Sequence, residues 1–222
     1  MSPPGPGKGV TVIDTGLDVS HPEFAGRPNT TLLNAQSTTG AEDELHGTAV
    51  SSVVAAPENG VGLAGVYPQA ALAEWDSGPT FVSDVIEGME HALDAGQGVI
   101  NMSFGFDGYD PLLADEVDIA FGTGTLLVAA AGNDFLEGNA RHSPAALPHV
   151  LTVGATDEQN HASYFSNRSL AVDSPRRARR SRSRCRHGQA LPATRRRTAR
   201  ASRRRSSRVQ PRGCGRGGRS ST

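Results

Sequence analysis

Several polar residues follow short apolar segments of this sequence, in positions where their side chains could combine for acid–base chemistry. Asp14, Ser103 and Asn133 each come at the end of such a segment, and His46 follows an acidic stretch. An imidazole accepts and returns protons near neutral pH, a carboxylate orients it, and an amide donates a hydrogen bond to a developing negative charge. Each residue alone has an ordinary interpretation, because Asp and Asn beside Gly are common in turns. Only their combination would indicate a catalytic site.

The apolar segments predict a mostly parallel β-sheet that is covered on both faces. Short apolar runs bounded by Gly, Pro or Asp are typical of buried strands, and apolar residues at a spacing of four are typical of helices. Strands and helices that alternate in this way indicate a three-layer α/β domain, whose functional residues gather at the carboxyl ends of the strands. The predicted strands are 9–14, 71–75, 98–104, 125–131 and 150–155, and the predicted helices are 46–56, 81–95 and 111–122.

The charged residues divide the chain into two unlike parts. Residues 1–173 contain all 23 acidic residues and four basic ones, a net charge of −19, whereas residues 174–222 contain 18 Arg and no acidic residue. Residues 174–222 are also poor in large apolar side chains, and burying so few of them cannot offset the entropy of ordering the backbone. We therefore expect a linker over residues 1–8, one domain over 9–173 and a disordered Arg-rich tail over 174–222.

Segments of the acidic part, taken in chain order, resemble the subtilisin-like serine proteases. The resemblance covers roughly residues 9–173 and implies the three-layer subtilisin-like fold. The segments that carry it are Val12–Asp18 with His21–Phe24, His46–Val50, Val99–Gly105, Ala130–Asn133, Ser143–Ala145, Val153–Ala155 and Ser163–Asn167.

The resemblance implies a serine endopeptidase with an Asp/His/Ser triad. Amide hydrolysis needs a nucleophile, a base, an acid that holds the base in one tautomer, and a hydrogen-bond donor for the oxyanion. By the resemblance, His46 is the general base, Asp14 is its orienting carboxylate, and the side-chain amide of Asn133 is the oxyanion donor.

The resemblance also implies where a polypeptide substrate binds. Ser103, Phe104 and Gly105 would present an exposed strand edge, to which an extended peptide adds through main-chain hydrogen bonds. This mode of binding depends on backbone shape more than on side chains, so we expect broad specificity.

A structural calcium ion is a further expectation, although no cofactor is required for the chemistry. Many members of the family bind calcium through positions that correspond here to Glu23 and Asn59, with carbonyl groups of residues 57–63. Hard oxygen ligands of this kind suit Ca²⁺. The alternative is that Glu23 is a surface carboxylate and that residues 58–60 form an ordinary turn.

The nucleophile of the family has no counterpart in this sequence, which contains no Gly-Thr-Ser segment. We assign the nucleophile to no serine of the tail, so activity is doubtful. Our leading hypothesis is a frameshift near residues 168–175. The alternatives are a basic tail that binds nucleic acid or a tail that folds back on the acidic domain. Functionally, the alternative is a non-catalytic pseudoenzyme that binds peptides.

Other features limit the class of protein only weakly. Cys185 and Cys214 both lie in the tail, and the sequence has neither an apolar stretch of membrane-spanning length nor a visible secretory signal. No membrane partner is therefore expected. The family is usually secreted, but localisation stays open. The remaining histidines of the acidic part lack the spacing of a zinc helix and are expected to be surface or packing residues. They are His21, His91, His142, His149 and His161.

Overall fold

A parallel sheet of seven strands runs through the part of the chain that the computed structural model describes. That part comprises residues 7–36, 45–96 and 98–168, and the backbone of 172–177. The strands of this sheet are β1 (Val10–Asp14), β2 (Thr30–Leu32), β3 (Leu72–Asp76), β4 (Val99–Met102), β6 (Leu126–Ala130), β8 (Val150–Thr156) and β9 (Val172–Arg177). Their order across the sheet is β2-β3-β1-β4-β6-β8-β9.

Helices cover both faces of the sheet, which confirms the three-layer α/β architecture. They are α1 (His46–Ala55), α2 (Val82–Asp94) and α3 (Pro111–Gly122). Successive side chains of a strand point to opposite faces. Accordingly, Val12 packs in one apolar cluster with Ala55 of α1, and Ile13 packs in a second cluster with Met89 of α2 and Val117 of α3.

All the predicted strands and helices are present with ends within one residue of the prediction, except at the end of β4, whereas β2 and β9 were not predicted. β4 ends at Met102, so residues 103–105, predicted as an exposed strand edge, lie beyond the strand. β9 extends to Arg177 and pairs with β8 across the predicted domain boundary at residue 173. Pro175 is compatible with this strand because β9 is at the edge of the sheet, where a missing backbone N–H is tolerated. Residues 178–222, and with them most of the predicted disordered tail, lie outside the described residues.

A small antiparallel pair, β5 (Phe106–Asp107) and β7 (His142–Ser143), lies outside the main sheet and was not predicted. It pairs β5, which follows the segment 103–105, with β7, which comes a few residues after the 3₁₀ turn Phe135–Glu137. Within the described residues, the helices are too short or too polar to cross a membrane.

Candidate active site

Asp14 is the last residue of β1, and its side chain, only 2% exposed, is buried at the carboxyl edge of the sheet. The backbone carbonyl of Asp14 accepts hydrogen bonds from the backbone N–H of Ser77 at 2.8 Å and from the Ser77 hydroxyl at 3.0 Å. Ser77 directly follows β3, the strand beside β1. The neighbouring strand therefore fixes the backbone from which the carboxylate projects.

His46 is the first residue of α1, and its ring meets the Asp14 carboxylate. Nδ1 of His46 lies 2.7 Å from Oδ1 of Asp14, and the same carboxylate oxygen accepts the backbone N–H of Thr15 at 2.8 Å. The His46 side chain is 53% exposed. A buried acid thus holds one ring nitrogen, and the other nitrogen, Nε2, is the one available for proton transfer.

Asp14 also changes the proton affinity of His46. The hydrogen bond from the ring to the carboxylate raises the pKa of His46, the negative charge of Asp14 adds to this effect, and partial burial of the ring opposes it. The net pKa is raised from its ordinary value. A raised pKa makes the imidazole a stronger base in its neutral form.

α1 can approach β1 closely because its second residue is glycine. A Cβ atom on Gly47 would lie 2.4 Å from the carbonyl oxygen of Gly16, far inside van der Waals contact. The backbone N–H of Gly47 donates to the Thr15 hydroxyl at 3.0 Å, and the Thr48 hydroxyl accepts the backbone N–H of Asp18 at 2.9 Å. These contacts fix the start of α1 on the loop that follows Asp14.

Thr15, Thr48 and Ser77 are positioning residues whose roles the sequence analysis missed. Thr15 directly follows Asp14, and Thr48 lies two residues after His46, so both are close in sequence to a predicted functional residue. That proximity is a signal that could have identified them. Ser77 offered no such signal, because it contacts Asp14 from another strand.

Asn133 and residues 103–105, which were predicted to meet the substrate, lie at the same edge of the sheet as Asp14. Ile13, Met102 and Ala129 are in register across β1, β4 and β6, so the residues after each strand emerge side by side. Adjacent strands are about 4.8 Å apart, which places the turn after β6 about 10 Å from β1. Asn133 lies in that turn with an exposed side chain.

The segment 103–105 continues from β4 into this edge. The hydroxyl of Ser103 accepts a hydrogen bond from the side-chain amide of Asn101 at 2.9 Å, and the Phe104 ring packs edge-on against Phe106 at 5.6 Å between ring centroids. Gly105 is exposed. Ser103, Phe104 and Gly105 thus lie between the ends of β1 and β6 in the order of the sheet.

Glu23 and Asn59, the expected calcium ligands, are brought together, but by hydrogen bonds of the protein itself. The Glu23 carboxylate accepts the backbone N–H of Leu63 at 2.6 Å, and Oδ1 of Asn59 accepts the backbone N–H of Val61 at 2.9 Å. Each of these side-chain oxygen atoms thus accepts an N–H group of the loop 57–63. Among the described residues, no group of three or more His, Cys, Asp or Glu side chains is arranged to hold a metal ion. These contacts identify Glu23 and Asn59 as anchors of the loop 57–63.

His142, expected to be a surface or packing residue, is packed and also contacts two carboxylates. Its side chain is 13% exposed, and its ring nitrogens face the carboxylates of Asp134 at 2.6 Å and Asp107 at 3.1 Å. Its partners are 8 and 35 residues away in the sequence, so no local pattern indicated the cluster.

Comparison with known proteins places this arrangement in a family. Residues 5–179 match the family model described as the Subtilase family. The chain is 33% identical over 170 residues to Subtilisin E of Bacillus subtilis (strain 168), an alignment that covers 74% of this chain and 45% of that protein. It is also 33% identical over 173 residues to Subtilisin Savinase of Lederbergia lenta, covering 76% of this chain and 63% of that protein. The chain thus spans about half the length of several of the curated relatives that it matches.

Solved structures agree with the sequence comparison. The self-cleaved protease domain of PatA superposes with a TM-score of 0.63 at 32% identity, covering 73% of this chain and 62% of that one. The psychrophilic subtilisin-like protease Apa1 from Pseudoalteromonas sp. AS-11 superposes with a TM-score of 0.67 at 27% identity, covering 76% of this chain and 41% of that one. These comparisons give no support to the alternative that the Arg-rich tail binds nucleic acid. The chain belongs to the subtilase family of serine proteases.

Proposed function

We propose that this chain carries the acid–base pair of a serine endopeptidase, with His46 as general base and Asp14 as its orienting carboxylate. This assignment rests on the 2.7 Å contact between Nδ1 of His46 and the buried Asp14 carboxylate. The carboxylate keeps the proton of the neutral ring on Nδ1, so that Nε2 accepts the proton of a serine hydroxyl and later returns it to the leaving amine. Asp14 also stabilises the imidazolium ion that forms between these two steps.

Substrate binding would use the segments beside this pair. An extended polypeptide that lies along residues 103–105 places its scissile carbonyl near the turn that holds Asn133. The side-chain amide of Asn133 then donates a hydrogen bond to the oxyanion of the tetrahedral intermediate. Main-chain pairing along Ser103–Gly105 supplies affinity with little dependence on the substrate sequence.

Hydrolysis by this chain alone is expected to be very slow, because its sequence contains no Gly-Thr-Ser segment to supply the nucleophile. In subtilisin itself, loss of the nucleophilic serine lowers turnover by about 10⁶. The same absence favours a second candidate function, which is binding of extended peptides without cleavage.

The acid–base pair can be tested without a nucleophile, by NMR titration of the His46 ring. We expect the pKa of His46 to be above the ordinary value of about 6.5 and to fall in Asp14→Asn. Asp157→Asn is the matched control, because Asp157 pairs with the exposed His161 and not with His46. A His46 pKa that is the same in Asp14→Asn and in the unmodified chain would contradict the pairing.

Hydrolysis of fluorescein-labelled casein provides the second arm of this test. We expect a rate at background for the unmodified chain and for His46→Ala. A rate well above background that falls in His46→Ala would contradict the claim that this chain alone is nearly inactive, and it would support the role of His46.

A further inference from the structure

His142 packs between the two segments proposed to bind the substrate, residues 103–105 and the turn that carries Asn133. A Cβ atom on Gly105 would be 2.8 Å from Cβ of His142, and a Cβ atom on Gly132 would be 2.7 Å from Cδ2 of its ring. Both distances are shorter than real Cβ contacts. Glycine at these two positions therefore allows the imidazole to pack against both segments at once.

The ring is also linked to both segments through its nitrogen atoms. Nε2 lies 2.6 Å from Oδ2 of Asp134, the residue after Asn133, and Nδ1 lies 3.1 Å from Oδ1 of Asp107, two residues after Gly105. A neutral imidazole has one N–H group, whereas the imidazolium ion has two. The Nε2 atom is hydrogen-bonded to Asp134, and Nδ1 faces the Asp107 carboxylate without a hydrogen bond of good geometry.

The turn that carries Asn133 is held from its other side as well. The buried side chain of Asn167 accepts the backbone N–H of Asp134 at 2.7 Å through Oδ1 and donates to the carbonyl of Ala140 at 2.8 Å through Nδ2. On the side of the turn that faces residues 103–105, His142 contacts both segments, in addition to the pairing of β4 with β6.

We propose that His142 is a positioning residue that sets the spacing between the peptide-binding segment Ser103–Gly105 and the turn that carries Asn133. This inference rests on the proposed function, which assigns those two segments to substrate binding. A hydrogen bond to a carboxylate is short and directional, so the contact from Nε2 to Asp134 adds to packing in fixing this spacing. An extended peptide can then pair with residues 103–105 while its carbonyl meets the amide of Asn133.

Peptide binding provides the first test, with fluorescein-labelled casein as the probe and fluorescence anisotropy of the full chain as the measurement. We expect about tenfold weaker binding in His142→Gln, which is the loss expected for a charge-assisted hydrogen bond. Asp107→Asn should weaken binding less and leave the melting temperature unchanged, because the Asp107 side chain is 93% exposed. His161→Gln is the matched control and should bind casein like the unmodified chain, since His161 pairs with Asp157 elsewhere.

A spectroscopic double-mutant cycle separates positioning from a general effect on folding. Asp107→Asn should shift the NMR signals of the Asn133 side-chain amide, and it should no longer do so when His142 is already Gln. Casein binding that is equal in His142→Gln, Asp107→Asn and the unmodified chain would overturn the inference. If the unmodified chain does not bind casein, the proposed peptide binding is wrong. The NMR cycle still decides on His142 in that case, because an unshifted Asn133 signal in Asp107→Asn also overturns the inference.

Discussion

At the scale of single residues, burial gives similar polar groups different roles. Asp14 is buried and holds His46, whose ring is half exposed and can therefore meet another molecule. Glu23 is also buried, with 5% of its surface exposed, but it faces the backbone of the loop 57–63. That loop is wrapped closely around it, since a Cβ atom on Gly62 would overlap the Glu23 carboxylate at 1.9 Å. A buried carboxylate thus holds a histidine ring at one site and a loop at the other.

We predict that Glu23 stabilises the fold as a loop anchor and that calcium is not needed for this effect. Glu23→Ala should lower the free energy of unfolding by about 1.5–3 kcal/mol, the usual contribution of a hydrogen bond to a charged group. Glu23→Gln should retain part of this stability, because its amide oxygen can still accept the N–H of Leu63. Urea unfolding, measured once with EDTA and once with calcium chloride, should give the same losses. A loss in both variants that appears only with calcium would instead identify Glu23 as a calcium ligand.

At the scale of secondary-structure elements, α1 packs on the sheet over a buried carboxyl group. Glu74 of β3 is fully buried, and its Oε2 accepts the hydroxyl of Ser51 from α1 at 2.8 Å. Its other oxygen, Oε1, has no hydrogen-bond partner among the described residues. Burial raises the pKa of Glu74 well above its ordinary value, the Ser51 hydrogen bond opposes this, and the charges of Asp14 and Asp76 add to it. The helix that carries His46 therefore lies over a carboxyl group that favours its neutral form.

This arrangement predicts a stability that depends on pH. Because the pKa of Glu74 is higher in the folded chain, its contribution to stability is fully present below the unfolded pKa, near pH 4.5, and is lost as pH rises through the folded pKa. Glu74→Gln should be close to neutral in its effect at pH 5 and should stabilise the fold at pH 9 by an amount on the order of 1 kcal/mol. Urea unfolding at the two pH values measures this difference. Glu87→Gln, on the exposed face of α2, is the control. An equal effect of Glu74→Gln at both pH values would contradict the prediction.

At the scale of the whole molecule, the order of the strands determines which strands are paired on both sides and which lie at an edge of the sheet. β1, β4 and β6 are central and pair on both sides, whereas β2 and β9 form the two edges of the seven-stranded sheet. The two apolar clusters also include residues from the central strands, Val12 and Ile13 of β1 among them. The carboxyl ends of these central strands carry Asp14, residues 103–105 and the turn with Asn133. The candidate site is therefore built on strands that are paired on both sides within the sheet.

Amide hydrogen exchange should reproduce this order. We expect the backbone amides of β4 and β6 to exchange at least about tenfold more slowly than those of β2, because central strands open only in large unfolding events. NMR or mass spectrometry of the native chain measures these rates. Exchange from β2 that is as slow as exchange from β4 would show that the sheet does not open from this edge.

The sequence by itself determined the family, the alternation of strands and helices, and the identity of Asp14 and His46 as candidate partners. These features are local: apolar periodicity is written in consecutive residues, and each motif is a few residues long. Only the tertiary structure decided that Ser77 holds the backbone of Asp14, that Glu74 lies beneath α1, and that His142 joins two loops. It also decided that residues 174–177 continue β9, although Arg and Pro there do not indicate a strand. Such contacts join segments far apart in the chain, and their geometry depends on which strands become neighbours, which no local pattern encodes.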